Sequence, residues 1–480
     1  MTQTRSERAV DLLVIGGGTA GIVAAKTAAR FGADVLLVER DRMGGDCLWT
    51  GCVPSKSLIA AADAATRART SAELGVSASV VAVDFAAVMR HVRDAISAIE
   101  PDDSPEALES VGARVERGSV RFVGRREAEV DGQRIRFGQA IIATGSAPVM
   151  PGIDGLERVE ALTSETVWDI DELPDRLLVL GGGAIGCELA QAFARLGSRV
   201  TLVQRNARLL PKEDEAASAV VEAALTADGV DVRTRTELES VEPAPGGGGT
   251  AALSVGGEVA FDRILVALGR TPRVDDLDVA AAHVRLDDRG YVDVDDALRS
   301  SNRRIWAAGD VTGLPAFTHL AGVGGSTAAT NAVLGLRRRI DRDAVPRVTF
   351  THPEVGAVGV LPDDAASHGC TVSEIRHEHT DRAIAESETS GFTRLVIDRR
   401  GRVRGATIVG PRAGESLGEA CLAVSAGLTT SAISSATHPY PTYSDALWNA
   451  AIADVRSRLE RGALATVIGL LARLRRLATR

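Results

Sequence analysis

DLLVIGGGTAGIVAAKTAARFGADVLLVER, Asp11 to Arg40, reads as an apolar strand, a glycine turn, an alanine-rich helix and a second apolar strand ending in Glu39. That succession is a βαβ unit. Gly16, Gly18 and Gly21 stand as G-x-G-x-x-G. The first glycine allows the tight turn, the second lets the backbone approach a pyrophosphate, and the third lets helix and strand pack closely. The pyrophosphate would sit at the helix N-terminus, where free N–H groups and the dipole favour an anion. Glu39 is placed to accept from the hydroxyls of an adenosine ribose.

A single glycine triplet can serve a turn and nothing else, but this one recurs. RLLVLGGGAIGCELAQAFARLGSRVTLVQR, Arg176 to Arg205, repeats the unit with Gly181, Gly183 and Gly186. Two dinucleotide folds in one chain imply two bound nucleotides, and two cofactors suggest electron transfer between them. The second unit ends in Gln204 and Arg205, where the first has Glu39. Without an acid to repel a 2′-phosphate, Arg205, with Arg208 as a second candidate, can pair with one, which favours NADPH over NADH. IIATGSAP (Ile141 to Pro148, holding Thr144 and Gly145) and ILVALGRTP (Ile264 to Pro272, holding Gly269) are similar strand-then-glycine returns that would close the two nucleotide domains. RRIWAAGDV puts Asp310 at the C-terminal end of a strand, where open α/β sheets bind ligands.

Composition sets the frame for these motifs. The 480 residues are too many for one core and should form three or four domains; 45 % hydrophobic and 25 % charged residues are ordinary for a globular protein. A net charge of −9 argues against nucleic acid as a partner. The N-terminus lacks the apolar core of a secretory signal and no run of 18 apolar residues occurs, so a cytoplasmic location is expected.

GGDCLWTGCVPSK, Gly44 to Lys56, holds Cys47 and Cys52. A close cysteine pair in a reducing compartment is half of a metal site or a redox couple. Zinc would require further Cys or His ligands at short spacing, and the nearest histidine in sequence is His91; no metal site is expected.

The order of glycine motif, cysteine pair, ATG, second glycine motif, GD and C-terminal domain resembles the class I flavoprotein disulfide reductases: glutathione reductase, dihydrolipoamide dehydrogenase and mercuric reductase. The resemblance spans roughly residues 10 to 455, and GGDCLWTGCVPSK carries it most specifically. It implies an α/β fold of two Rossmann-like domains plus a C-terminal α+β dimerisation domain. The FAD-binding domain would take residues 1–152 and 276–344, the NAD(P)-binding domain 153–275 and the dimerisation domain 345–455. It also implies a homodimeric enzyme with FAD and NADPH (or NADH). Cys52 would be the flavin-side sulfur and Cys47 the interchange thiol. Lys56 would sit by the flavin's reactive ring nitrogen, paired with Glu188, and Asp310 would meet the ribityl chain. The acceptor would be a disulfide, a thiol-bound metal ion or another small electron acceptor. Two rival readings are a dihydrolipoamide dehydrogenase-type activity and a non-enzymatic flavin/dithiol redox sensor.

The chain departs from the family at its C-terminal segment, where thiol-handling members carry H-x-H-P-T-x-S-E. Here the stretch is THPYPTYSDAL, so that His438 takes the first position, Tyr440 the catalytic histidine's position and Asp445 the glutamate's. An imidazole of pKa ~6.5 trades protons with thiols at neutral pH, whereas a phenol of pKa ~10 stays protonated and donates. Mercuric reductase also places a tyrosine there and has a similar Arg-Asn after the second strand, as Arg205-Asn206 here, but it ends in a cysteine pair that this C-terminus lacks. Trp49 and Thr50 replace the family's usual Asn and small apolar residue; Trp49 either fills the core or narrows access to Cys47. Residues 456–480 form a basic amphipathic tail, with Leu464, Val467, Ile468, Leu471 and Leu474 at helical spacing and Arg473, Arg475, Arg476 and Arg480 near the end. Such a stripe packs on the dimer or rests on an anionic membrane surface.

Overall fold

The computed structural model describes residues 8–78, 81–245, 247–460 and 462–479. Its contacts divide into two compact units. The first comprises Met1–Gly181, Ala192–Val203 and Glu237–Ile340, the second Gly182–Gln191, Gln204–Thr236 and Asp341–Arg480. The division passes through the second glycine unit, within the helix Ala184–Leu196.

In the first unit the opening strand β1 (Arg8–Ile15) turns through the glycines into helix α1 (Thr19–Arg30) and returns as β2 (Val35–Glu39). The sheet runs in the order Ala113–Arg117, β2, β1, Gln133–Ile142, Glu127–Val130, Val120–Gly124, with Ile305–Ala307 also pairing Gln133–Ile142. Leu12, Leu13 and Val14 are fully buried, as expected of a parallel strand covered on both faces. Register decides what this sheet presents. Ile15 lies opposite Ile142, and Ile142 lies opposite Ala307, so three strands end at one edge. That edge delivers the Gly16 turn, Thr144-Gly145 and Gly309-Asp310 side by side.

Helix Thr318–Leu334 packs on α1 at unusually close range. A Cβ on Gly325 would stand 2.2 Å from the Ala20 carbonyl oxygen, so the crossing requires glycine. Elsewhere in this unit, strands Arg176–Leu180, Arg199–Gln204, Arg263–Val266 and Leu162–Thr163 pair in parallel around the buried Leu178 and Leu180.

The second unit contains a five-stranded antiparallel sheet in the order Arg347–Thr349, Glu354–Gly359, Val403–Gly410, Phe392–Ile397, Thr371–Arg376. Helices Ala413–Ala426 and Asp445–Leu459 contribute Leu417 and Leu447 to a core with Val358, Leu395 and Ile408. This is the α+β texture expected after residue 345. Asp214, fully buried, accepts both Ala216 and Ala217 backbone N–H groups at the start of helix Glu215–Ala227 and pairs with Arg394 at 2.8 Å. Its charge is thus capped and neutralised at once.

Candidate functional site

The cysteine pair sits on two short-range helical starts in the first unit. Helix α2 (Gly45–Trp49) carries Cys47, and α3 (Cys52–Thr70) opens on Cys52. Two glycines enforce the break. Gly44 has φ +102°, a conformation that side chains resist, and a Cβ on Gly51 would lie 2.8 Å from the Asp46 carbonyl oxygen. The chain therefore doubles back and brings the two thiols within hydrogen-bonding reach of each other. A sulfur at the start of α3 stands where unpaired helix N–H groups favour a thiolate.

Sequence reasoning missed the third member of this group. Thr318, the first residue of the helix packed on α1, places its Oγ1 3.1 Å from the Cys52 Sγ. The hydrogen bond to Cys52 and then burial push the Cys47 thiol upward, and the Thr318 hydroxyl opposes them. Thr318 lies 266 positions from Cys52, so only the close α1 crossing reveals the contact.

Asp46, beside Cys47, anchors a polar network. Its carboxylate pairs with Arg270, which also donates to Ser146 Oγ at 2.7 Å and to Ser164 Oγ at 3.2 Å. Ser146 in turn donates to Asp310 at 2.7 Å. The dithiol turn, the ATG return and the GD strand end are therefore tied together through one guanidinium. Burial raises the Asp46 pKa against the opposing charge of Arg270. Thr144 Oγ1 donates to the Arg273 carbonyl at 2.6 Å, and Gly145, at φ +70°, accepts the Arg273 N–H at 3.1 Å. Gly269, at φ +127°, accepts the Val149 N–H, so the two returns hold each other. Arg270 lay in the GRTP stretch, but nothing in its spacing distinguished it from a solvated arginine.

The residues of the first glycine turn fit a dinucleotide. Gly16 stands at φ +106°, where a Cβ would come 2.4 Å from the Ala143 carbonyl oxygen, and a Cβ on Gly21 would fall 1.9 Å from that of Gly16. A Cβ on Gly45 would reach 2.7 Å from the Gly18 Cα, so bare backbone lines the start of α1. Nothing caps that helix start with a side chain, which leaves its N–H groups directed at an anion. Glu39 accepts the Gly17 N–H at 2.5 Å and the Asp41 N–H at 2.8 Å, which holds its carboxylate beside the turn.

The second turn is built alike. Gly181 has φ +108° and a Cβ there would meet the Ala267 carbonyl oxygen at 2.5 Å; Gly183 has nothing within 4 Å of such a Cβ, and Gly186 is buried. A Cβ on Gly182 would press on Gln204 at 3.2 Å, the relation that Gly17 has to Glu39. Arg205 is exposed at the strand end, and Arg208 donates to the carbonyls of Glu213 at 2.8 Å and Pro211 at 3.3 Å.

Lys56 lies one turn into α3 and donates to Ser55 at 3.3 Å. Glu188 is buried and accepts the Phe350 N–H at 2.9 Å. His438 is spoken for: its Nε2 faces Glu419 at 2.9 Å and its ring stacks on Trp448. Tyr440 is 69 % exposed and its hydroxyl donates to Asp381, which raises the phenol's pKa. Asp445 does not reach that hydroxyl as a partner; it is buried and accepts the Thr442 N–H at 3.1 Å. Trp49 donates to the Met43 carbonyl at 2.6 Å with Arg42 stacked 4.1 Å above its ring, so it anchors the turn. Among the described residues, no group of three or more His, Cys, Asp or Glu could hold a metal ion.

Comparison with known proteins agrees with this geometry. The Pyridine nucleotide-disulphide oxidoreductase family model matches residues 10–333, and the dimerisation domain of the same family matches 345–451. A mercuric reductase from Streptomyces lividans is 37 % identical over 450 residues, covering 91 % of this chain and 94 % of that protein. A dihydrolipoyl dehydrogenase from Geobacillus stearothermophilus is 33 % identical over 455 residues, covering 92 % and 95 %. Among solved structures, LpdA from Mycobacterium tuberculosis superposes with a TM-score of 0.84 at 28 % identity, covering 92 % of this chain and 99 % of that one. The HOCl-induced flavoprotein disulfide reductase RclA from Escherichia coli, solved as a Cu(II) complex, gives 0.83 at 25 % identity over 92 % and 99 %. With its glycine turns, paired thiols and antiparallel C-terminal sheet, the chain belongs to the pyridine nucleotide-disulphide oxidoreductases, FAD-dependent enzymes that use a pyridine nucleotide.

Proposed function

We propose that this enzyme uses NADPH to reduce a thiol-bound soft metal cation at Cys47, in a homodimer where Tyr440 of one protomer faces Cys47 of its partner. The observation that carries this reading is the Tyr440–Asp381 hydrogen bond, in the position where disulfide-handling relatives need an imidazole. Asp381 keeps the phenol protonated, so Tyr440 donates a hydrogen bond and is a poor base for thiols at neutral pH. The similarity to proteins named mercuric reductase points the same way.

FAD would be held by the Gly16 turn, Glu39 and Asp310, and when bound would supply the relay of an electron pair between the pyridine nucleotide and the dithiol. The chain's own residues do the rest. Cys47 exchanges onto the metal and displaces an incoming thiol, which leaves with the proton Cys47 gives up. Thr318 and the start of α3 hold the second sulfur ready to ionise. Overall, NADPH and the divalent cation become NADP⁺, one proton and the reduced metal, so charge and electrons balance. Lys56 would place a positive charge where hydride arrives, and Arg205 at the exposed strand end favours NADPH over NADH.

Steady-state assay decides between acceptors. With NADPH, Hg(II) presented as its bis-thiol complex should be consumed, while lipoamide turnover stays far below the tens per second of an ordinary enzyme. Rapid lipoamide turnover would show that Tyr440 does not set the acceptor. Absence of NADPH oxidation with every acceptor, flavin being bound, would favour a redox sensor.

A further inference from the structure

The terminal helix, Gly462–Ala478, turns six large apolar side chains to solvent: Val467, Ile468, Leu470, Leu471, Leu474 and Leu477, each between 40 % and 73 % exposed. At about 100° per residue these positions cover roughly half of the helix circumference, from Leu477 round to Ile468. The opposite half carries Gly469, Ala472, Arg473 and Arg476, and Arg475 lies just inside the apolar edge beside Ile468. The helix has three arginines and no acidic residue, on a chain whose net charge is −9. Its charge is therefore opposite to that of the protein that carries it.

A wide apolar half bordered by arginines, whose stems lie along apolar surface while their heads reach phosphates, is the arrangement of a helix at a lipid interface. No helix among the described residues is long and apolar enough to cross a membrane. A second copy of the chain is the other candidate occupant. The family's dimerisation domain ends at residue 451, ahead of this helix, so dimer formation by that domain does not call on it. An apolar partner surface would also leave the arginines without a purpose.

We propose that Gly462–Ala478 lies flat on an anionic lipid surface, apolar half down, and docks the reductase there. The test uses the full chain with phosphatidylcholine vesicles containing about a third phosphatidylserine, against phosphatidylcholine alone. The protein should co-sediment with the anionic vesicles and be released by salt. Replacing Arg473, Arg475 and Arg476 together by Gln should weaken that partition on the order of a hundredfold. Leu471→Glu should abolish it, with NADPH turnover in solution unchanged in both variants as proof of folding. Equal sedimentation with neutral and anionic vesicles, or none, would overturn the proposal. So would a chain ending at residue 460 that runs as a monomer where the full chain is a dimer, since a second copy would then be the occupant.

Discussion

The dithiol turn and the Tyr440 segment are both short polar stretches ending in a helix, yet they are held by different means. Around Cys47 and Cys52 the backbone decides: Gly44, Gly45 and Gly51 occupy conformations or gaps that a side chain would spoil, and Thr318 arrives on a helix that glycine lets close on α1. Around Tyr440 side chains decide. The hydroxyl rests on Asp381, the segment is pinned by Asp445 on Thr442 and by Tyr443 on Glu386, and in the same unit the antiparallel sheet is tied to helix Glu215–Ala227 by the Asp214–Arg394 pair. Backbone-built sites are rigid before any ligand arrives; side-chain-built ones can be retuned by a single exchange. One family can thus keep its dithiol and change its acceptor.

The largest effect expected in the side-chain-held region comes from Asp214→Ala. It removes a helix cap and one of Arg394's two carboxylate partners, Glu374 at 2.7 Å being the other, so urea unfolding of this region should lose about 3–4 kcal/mol. A loss below 1 kcal/mol would mean that the sheet does not depend on the pair.

His377 sharpens the contrast through pH. It is buried beneath Gly391 and Gly410, and burial lowers its pKa to about 4. In the unfolded chain it binds a proton near pH ~6.5, so the unfolded state holds more protons between there and about 4. Stability contributed by the neutral ring is full above pH ~6.5 and falls on acidification by on the order of 3 kcal/mol. A His377→Gln variant should show a flatter unfolding profile across that window; an unchanged slope would remove His377 as the cause.

Tyr440→Phe should lower kcat with a thiol-bound metal by about tenfold to a hundredfold while leaving anaerobic reduction by NADPH untouched. Asp381→Asn should reproduce a fraction of that loss and lower the pH at which Tyr440 ionises, read from tyrosinate absorbance. Equal damage to both half-reactions would place Tyr440 in the structural frame. The smallest effect is at Thr318→Val: loss of one hydroxyl donor, worth about 1 kcal/mol, should slow alkylation of the dithiol at neutral pH roughly fivefold.

Much of this was legible in the chain because glycine, cysteine and strand-helix periodicity report on backbone. The βαβ turns at Gly16 and Gly181, the dithiol and the α+β texture after residue 345 follow from local pattern alone. Thr318, Arg270 and Asp381 do not. Each meets its partner across a long loop of sequence, at 266, 224 and 59 residues respectively, and each is of a residue type that surfaces abound in. Asp445 shows the converse: aligned as the orienting acid, it spends its carboxylate on the Thr442 backbone three residues away. Local hydrogen bonding is the usual fate of an aspartate at the start of a helix.

Anaerobic titration with NADPH reaches most directly whether electrons leave through the sulfur pair. The wild-type protein should take up about two hydride equivalents per subunit, one for the flavin and one for the disulfide, and Cys52→Ser about one. Equal uptake by both proteins would contradict a dithiol relay.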